Sequence, residues 1–440
     1  MTNFEKIPVA NLFITNITKP DLLATIRERV REGQKTWITT LYSEFIFYAL
    51  KSPEIQNLLN KADISVADGI GMFLAKRYLQ IPIKEGGYWQ KHIQAAFQMA
   101  SSLLEILFHP QNIKKVLPEK ISGSELIWDL AKLAADNNLK IFLAGGFGDT
   151  PKLVAEKLKQ KYPDLQIQYS NKNPGDTTLL TDIQTANPDM LLAAYGPLKQ
   201  ENWILSHKDH LPAKLYVGLG GTFDYLAGEK KSPPAFIRNN GLEWLWRLIT
   251  QPQRIHRIMN ATFGLCYWLI RYKVNTTLPY RKNVACIVLN PEGKIFLGKR
   301  KPDDFDRNNN HWMFPQGGLE EGEDIAKAAE REIWEETGLK SLRFMYLSDK
   351  TNTYSWLPGF SHDFRGQRQN IAYFSFMGND AEINLTNHEV VEFESFQWVE
   401  PNKLMQTIHE FRKPLAELVI QDLKEMAEKG IINIGKNYQF

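Results

Sequence analysis

The chain has 440 residues, which at about 150 residues per domain predicts roughly three domains. Hydrophobic residues make up 43% and charged residues 23%, which is ordinary globular usage and excludes disordered, collagenous and disulfide-framework proteins. The net charge of +3 is too small for the whole chain to bind a polyanion, so any phosphate chemistry must be local.

The two cysteines, Cys266 and Cys286, lie in apolar runs and predict neither a disulfide nor a zinc site. Residues 1–19 lack the basic, apolar and small-residue regions of a signal peptide. No apolar run reaches the ~20 residues that cross a bilayer. We therefore expect a cytoplasmic protein, with a peripheral position on the inner face of the cytoplasmic membrane left open.

Strand-like runs alternate with segments of helical length between residues 37 and 228, which predicts an α/β domain with a mainly parallel sheet. The predicted strands cover 37–42, 64–67, 140–144, 165–169, 190–195 and 214–218, and the predicted helices include 151–162 and 200–210. Ligands of such sheets bind at the carboxyl ends of the strands. The polar residues near these ends include Thr40, Asp68, Gln200, Glu201 and Asp224.

Asp68 lies between a strand-like run and a glycine turn, where its carboxylate could deprotonate a sugar hydroxyl. Asp is also a preferred N-cap residue, and taken alone a capping role for the next helix is favoured. The turn 145–148 also has two interpretations, because its glycines suit either a diphosphate at a helix N-terminus or a tight turn.

Two segments interrupt the alternation. Residues 85–115 carry apolar side chains at near-helical spacing and predict one or two extra amphipathic helices. Residues 244–291, the acid-free segment, contain no Asp or Glu, while Arg and Lys alternate with aromatic residues. This composition suits an anionic membrane surface, and the alternative is a buried helix pair with a solvated basic face.

The pattern changes after residue 275 to that of an α+β domain. A hairpin is predicted from strands 284–289 and 294–298, followed by strands at 370–377 and 395–399 and a closing helix at 414–429. Its strongest feature is an acidic helix predicted over 324–337 and ended by Gly338. Three glutamates stand there at i, i+3 and i+4, and so share one face. They are Glu332, Glu335 and Glu336.

Carboxylates packed this closely repel one another unless they bind a divalent cation, and oxygen-only ligation favours Mg²⁺ or Mn²⁺. Gly317 and Gly318 let the backbone approach a phosphate, and Arg331 is placed to hold Glu323 or another carboxylate. A cation with a carboxylate base can activate water against a phosphoanhydride. A solvated acidic helix face is the alternative.

These residues match the Nudix box, and residues 280–401 resemble the RNA 5′-pyrophosphohydrolase and dinucleoside-polyphosphate hydrolase branch of that family. The resemblance extends to the stretches 280–284, 311–318 and 391–393. It implies an α+β Nudix fold and a catalytic base at Glu335 or Glu336. It further implies Glu392 as a fourth metal-binding carboxylate, beside the three on the helix, and Arg281 as a contact for substrate phosphates.

The first half resembles the bacterial WecG/TagA/CpsF glycosyltransferase family over residues 8–260, chiefly at 68–71, 199–203 and 218–257. The resemblance implies a Rossmann-like fold and transfer of an N-acetylmannosamine-type sugar from a UDP donor to a polyprenyl-diphosphate-linked acceptor. Asp68 would be the base and Thr40 a neighbour in the site. No cofactor is expected in this half.

The chain departs from the glycosyltransferase family at two positions. Tyr42 stands where Asn is usual, and Ser232 stands where Arg is usual. The segment after Trp244 corresponds to the family's C-terminal appendage, which completes the site at the membrane surface. This correspondence favours the membrane interpretation of the acid-free segment.

We therefore expect a bifunctional fusion of two enzymes. The predicted domains are a glycosyltransferase domain (1–245) with an insertion at 85–115, a basic aromatic appendage and linker (246–277), and a Nudix domain (278–440). Two alternatives are a Nudix half that hydrolyses nucleotide sugars and a first half that only binds and localises the hydrolase. Association with a second copy of the chain is left open.

Overall fold

A computed structural model describes residues 4–229, 234, 246, 249–250, 255–301, 311–388 and 390–432. Ser232, Arg247, Arg254 and most of the loop 301–310 lie outside the described residues. The chain divides into two compact units, one of Met1–Thr277 with Leu357–Gly359 and one of Leu278–Trp356 with Phe360–Phe440. Across the part of the chain that is described, we find no helix long and apolar enough to span a bilayer.

The first unit is built on a parallel sheet of six strands in the order β4-β3-β8-β7-β5-β6. Side chains alternate between its faces, so Ile38 and Val217 lie in one core cluster while Trp37 and Tyr216 lie in another. The predicted Rossmann-like fold is confirmed. The strands are β1 (Lys6–Val9), β2 (Leu12–Thr15), β3 (Thr36–Leu41), β4 (Ile64–Ala67), β5 (Lys140–Gly145), β6 (Gln166–Ser170), β7 (Met190–Ala194) and β8 (Leu215–Gly218).

Helices cover both faces of this sheet. They are α1 (Lys19–Arg31), α2 (Ser43–Lys51), α3 (Pro53–Asn60), α4 (Ile70–Gln80), α5 (Tyr88–Phe108), α6 (Pro110–Lys114), α7 (Gly123–Asp136), α8 (Thr150–Lys161), α9 (Thr177–Ala186), α10 (Lys199–His207), α11 (Thr222–Ala227), α12 (Ile255–Met259) and α13 (Leu265–Asn275). The predicted insertion thus contains two helices, α5 and α6.

One hairpin of this unit was absent from the sequence prediction. Strands β1 and β2 pair antiparallel through a turn at Ala10 and Asn11. Ala10 has a φ of 53°, a conformation usually taken by Gly or Asn in such turns. The first position of the turn therefore lacks the residue type that predicts a hairpin.

The second unit contains a mixed sheet of seven strands in the order β11-β10-β9-β14-β13, with β12 paired to β9 and β15 paired to β10. Among the strand pairs that the described residues form in this sheet, only β9 and β14 run parallel to each other. The elements are β9 (Arg281–Leu289), β10 (Ile295–Arg300), β11 (Trp312–Met313), β12 (Gln316–Gly318), α14 (Ile325–Thr337), β13 (Leu342–Ser355), β14 (Gly366–Phe376), β15 (Phe393–Val399), α15 (Leu404–Thr407) and α16 (Lys413–Glu428).

Two features of this sheet differ from the prediction. The hairpin of β9 and β10 pairs only at Leu289 and Ile295, because β12 lies along β9 and β15 lies along β10. The long strand β13 was not predicted, since two register shifts against β14 break the regular alternation of buried and exposed residues along it.

Candidate functional site

The acidic helix α14 lies against β12, the short strand that carries the two glycines. Asp324 caps the helix by accepting from the amides of Ala326 and Lys327, and Gly338 ends it with a φ of 77°. Ala328, Ala329 and Ile333 are fully buried against the sheet. This packing holds the glutamate face of α14 beside β12.

Both glycines of β12 are required by their neighbours. A Cβ placed on Gly317 would lie 1.8 Å from the carboxyl carbon of Glu332. A Cβ on Gly318 would lie 2.4 Å from an Nη atom of Arg281. The missing side chains therefore leave room for one acidic and one basic group at the surface of β12.

Arg331 binds the carboxylates on this face together. Its Nε and Nη2 atoms each donate to Glu323 at 3.0 Å, and Nη1 donates to Glu332 at 2.8 Å and to Glu335 at 3.4 Å. Nη2 also donates to the carbonyl of Gly318 at 3.0 Å. The guanidinium holds the pKa of Glu323 below its usual value, because a charged hydrogen bond stabilises the carboxylate.

The other carboxylates of the face are buried and repel one another. Glu332 is 9% exposed and Glu336 is 5% exposed. Burial raises the pKa of both groups, and the negative charge of Glu392 raises both further. Glu336 also shares a hydrogen bond with Glu392 and accepts one from the Gln316 amide at 3.2 Å. Four predicted ligands, the three helix glutamates and Glu392, thus belong to one electrostatically coupled group.

This donor set fits a hard divalent cation, because it offers only carboxylate oxygens and its mutual repulsion would be relieved by positive charge. Within the described ranges, no three His, Cys, Asp or Glu side chains already stand at ligand positions. The salt bridges of Arg331 to Glu332 and Glu335 explain this, since they direct two carboxylates toward the guanidinium. Cation binding would require these side chains to change partners.

A buried amide cluster beside the carboxylates was missed by the sequence analysis. The fully buried Gln369 donates from Nε2 to the side-chain oxygens of Asn283 at 2.9 Å and Gln316 at 2.8 Å, and its own oxygen accepts from Asn352 at 2.8 Å. Gln316 is also the residue whose amide reaches Glu336. The available clue was a run of amide residues at the start of β14, where buried strand residues are normally apolar.

In the first unit, Asp68 follows β4 and accepts from the amide of Gly123 at 3.2 Å. It therefore caps α7 and not the helix that follows it, because Gly69 is the N-cap residue of α4 and has no side chain to cap with. A Cβ on Gly123 would lie 3.2 Å from Thr222 Oγ1, which places Thr222 beside this contact. Asp224 is half-buried two residues further along α11.

Thr40 is the penultimate residue of the neighbouring strand β3, and its Oγ1 lies 3.5 Å from the carbonyl of Gly218 at the end of β8. Tyr195 directly follows β7, and its hydroxyl oxygen is buried without a hydrogen-bond partner in the described part of the chain. The ring lies so near Gly145 that a Cβ there would be 2.6 Å away. Sequence analysis placed Tyr195 in a strand and so missed this polar position.

Gln200 and Glu201 form a buried pair at the start of α10. Gln200 donates from Nε2 to Glu201 at 2.9 Å and accepts from the Gly220 amide at 3.1 Å. Glu201 is 1% exposed and also accepts from the amide of Leu198 at 2.6 Å. Burial raises the pKa of Glu201 to about 7. Glu201 thus fixes the direction of the Gln200 amide.

The departure from the family pattern at Tyr42 is accommodated by Glu44, which is 3% exposed. Tyr42 donates to Glu44 at 3.4 Å, Tyr48 donates at 3.0 Å, and Arg257 of α12 donates at 3.0 and 2.7 Å. The acid-free segment is therefore joined to the start of α2, just after β3, by a two-point ion pair.

The two units define a chain that carries two enzyme folds, a Rossmann-like transferase fold and a Nudix fold. Residues 7–109 and 105–278 match the glycosyl transferase WecG/TagA/CpsF family, and residues 279–419 match the NUDIX domain. The chain belongs to the WecG/TagA/CpsF family, fused to a Nudix hydrolase domain. Both families indicate enzymatic activity.

Curated relatives match the first unit. The N-acetylglucosaminyldiphosphoundecaprenol N-acetyl-beta-D-mannosaminyltransferase of Staphylococcus aureus strain MRSA252 is 25% identical over 261 residues, which cover 58% of this chain and 89% of that protein. The corresponding protein of strain NCTC 8325 is 24% identical over the same coverage.

Solved structures match the second unit. A MutT protein from Methanosarcina mazei Go1 is 21% identical and covers 33% of this chain and 97% of its own, with a TM-score of 0.25. An Ap4A hydrolase from C. elegans is 18% identical and covers 33% of this chain and 98% of its own, with a TM-score of 0.26.

Proposed function

We propose that the first unit transfers an N-acetylmannosamine-type sugar from a UDP donor to a polyprenyl-diphosphate-linked acceptor. The names of the Staphylococcus aureus relatives support this donor sugar and acceptor class. The supporting observation in the structure is the position of Asp68 at the carboxyl end of β4, close to Gly123 and Thr222. Ligands of parallel sheets bind at that edge.

In the proposed transfer, Asp68 accepts the proton of the acceptor hydroxyl while the hydroxyl oxygen forms a bond to the sugar carbon. The bond from that carbon to the UDP oxygen breaks, and UDP leaves with the electron pair. The hydrogen bond from the Gly123 amide keeps the Asp68 carboxylate in a fixed direction. Thr40 lies near the end of β3 and Gln200 near the start of α10, and we assign both to substrate contact.

For the second unit we propose hydrolysis of a phosphoanhydride in an RNA 5′ end or a dinucleoside polyphosphate. The observation that supports this is the coupled group of Glu332, Glu335, Glu336 and Glu392 beside Gly317. These four carboxylates would hold Mg²⁺ or Mn²⁺, which when bound neutralises phosphate charge and lowers the pKa of water.

The chain's own residues then have distinct tasks. Glu335 or Glu336 takes a proton from the attacking water while the water oxygen bonds to phosphorus. The bond from phosphorus to the bridging oxygen breaks, and that oxygen leaves with the electron pair. Arg281, whose guanidinium lies over Gly318, contacts the substrate phosphates, and Gly317 leaves the room that the Glu332 carboxylate occupies. Arg331 holds Glu323 beside the helix and balances the negative charge of Glu332 until a cation is bound.

One observation favours a second substrate class for the hydrolase. The same chain carries a domain of a family that uses nucleotide sugars, so a nucleotide sugar is a candidate for its neighbour. Incubating the full chain with triphosphorylated RNA, a dinucleoside tetraphosphate and UDP-N-acetylmannosamine in parallel separates these substrates. Hydrolysis of UDP-N-acetylmannosamine at a greater kcat/KM than the other two would replace our assignment.

We also propose that the acid-free segment brings the first unit to an anionic membrane surface. In its described part the side chains of Phe263, Tyr267, Ile255 and Met259 are 64%, 52%, 46% and 44% exposed. Aromatic and basic residues without acids suit the interface of an anionic bilayer. The polyprenyl chain of the proposed acceptor lies in such a bilayer.

A further inference from the structure

Helix α5 in the insertion presents a line of large apolar side chains to solvent. It has 21 residues, which corresponds to about 31 Å. Trp89 is 71% exposed, Ile93 59%, Phe97 73%, Leu104 54% and Phe108 71%. Monomeric soluble proteins rarely leave contiguous apolar surfaces of this kind uncovered.

The opposite side of α5 is already buried in the first unit. Ala95, Met99, Ser102 and Ile106 are between 0% and 9% exposed, and the hydroxyl of Tyr78 donates to the carbonyl of Ala95. At about 100° per residue, the exposed set lies roughly 160° around the helix from the buried set. A helix that is apolar on both sides needs a second apolar medium.

The charge around α5 identifies that medium as an anionic lipid surface. The insertion, residues 85–115, contains two acids: Glu85, which is exposed ahead of α5, and Glu105, which Arg77 binds with hydrogen bonds of 3.1 and 3.3 Å. Helix α13 of the acid-free segment packs against α5, and its buried Lys273 donates to Gln98 at 2.6 Å. An apolar line bordered by elements without free acids complements an anionic bilayer.

We infer that α5 is a second membrane-binding element, which lies in the plane of the interface with its exposed line among the lipid chains. This inference deepens the proposed function, because it rests on a lipid-linked acceptor at the same surface. It assigns the main apolar contact to the insertion and not to the acid-free segment. Helices of this type bury about 5–10 Å of their apolar face.

The test uses the full chain and vesicles of phosphatidylcholine with one third phosphatidylglycerol. The double variant Trp89→Ser with Phe97→Ser removes two exposed rings without touching the buried side of α5. We expect its co-sedimentation with these vesicles to weaken at least tenfold. Phe360→Ser in the second unit is the matched control, because Phe360 is also 73% exposed. It should bind within twofold of the natural chain.

Two outcomes would overturn the inference. One is undiminished vesicle binding by the double variant. The other is a dimer of the natural chain, measured by light scattering, that the double variant abolishes while neither protein binds vesicles, since a second copy would then cover α5.

A parallel assay keeps the inference separate from the proposed function. N-acetylglucosaminyl diphosphate on a short, water-soluble prenyl chain needs no bilayer. We expect the natural chain and the double variant to transfer sugar to it at rates within twofold of each other. Transfer by both without vesicle binding would reject only the inference, whereas vesicle binding without transfer by either would reject only the proposed transferase.

Discussion

The two candidate sites surround their carboxylates in opposite ways. In the second unit, Glu332 and Glu336 lie among other acids, which raise the pKa of both beyond the effect of burial. In the first unit, Asp68 and Glu201 accept hydrogen bonds from neutral amides of Gly123 and Leu198. Crowded acids need an external positive charge, whereas acids that accept hydrogen bonds from neutral amides do not.

The surroundings of an acid therefore indicate its role where its position in the sequence does not. A crowded group is suited to a cation, and a single acid in a fixed direction is suited to proton transfer or to positioning a neighbour. The comparison therefore predicts that the two activities respond differently to metal removal and to amide substitutions.

Metal removal should separate the two activities most strongly. With an excess of EDTA we expect phosphoanhydride hydrolysis to fall on the order of 10³-fold or more, because the crowded carboxylates lose the charge that orders them. Sugar transfer, measured on the same sample, should stay within twofold. Readdition of Mg²⁺ should restore hydrolysis. Equal loss of both activities would remove the distinction between the sites.

The next largest effect is expected for Glu336→Gln, measured as Mg²⁺-dependent hydrolysis by the full chain. The amide removes one negative ligand and one candidate base, so we expect a loss on the order of 10²–10⁴-fold, and Glu335→Gln should behave similarly. The control is Glu330→Gln on the exposed side of the same helix. Full activity in both site variants would reject the hydrolase assignment.

Asp68→Asn tests the single acid of the first unit. Asn keeps an oxygen that can accept from Gly123 but cannot take a proton, so sugar transfer should fall on the order of 10²–10³-fold with little loss of stability. Asp164→Asn is the control, because Asp164 is exposed.

Asp68→Ala then distinguishes catalysis from capping. The alanine can neither take a proton nor accept from Gly123. Thermal unfolding should show that the free energy of unfolding falls by about 1 kcal/mol because the cap of α7 is lost. If Asp68→Asn transfers sugar normally and Asp68→Ala only loses stability, Asp68 is a cap and the base lies elsewhere.

Local sequence rules account for much of the second site. The three glutamates, Asp324 as cap and Gly338 as terminator are all set by the period and ends of one helix. Contacts over long sequence distances were inaccessible to such rules. Asp68 caps a helix that begins 55 residues later, and Gln369 contacts Asn283 across 86 residues. Glu392 entered the prediction only through the family resemblance, because no local pattern connects it to α14.

Gly317→Ala should have a smaller effect than loss of a ligand. The new Cβ would lie 1.8 Å from the Glu332 carboxyl carbon, so this side chain must move away from β12. We expect hydrolysis to fall roughly 10- to 100-fold, because misplacement of a positioned group costs rate without removing it. Gly175→Ala is the control, since open space surrounds that position. Unchanged hydrolysis would show that Glu332 does not act from its present place.

The pair of Gln200 and Glu201 should affect the pH dependence of folding stability. Burial raises the pKa of Glu201 to about 7 from its ordinary value of 4.5, so the folded chain favours the neutral carboxyl. The contribution of the neutral carboxyl to folding stability is complete below pH 4.5 and is lost as the pH rises through about 7. In Glu201→Gln this loss is absent, so the variant should gain stability relative to the natural chain, by up to ~3 kcal/mol, across this range.

Hydrogen exchange of peptides from α10, compared between the two proteins at pH 5 and pH 8, measures this difference. The natural chain should exchange faster than Glu201→Gln at pH 8 and similarly to it at pH 5. Sugar transfer by the variant should show a raised KM, because one amide oxygen replaces the two carboxylate oxygens that accept from Gln200 and from the Leu198 amide, so that Gln200 is held less firmly. An exchange ratio that does not change with pH would mean that Glu201 is charged in the fold. The contrast with the crowded acids of the second unit would then rest on Asp68 alone.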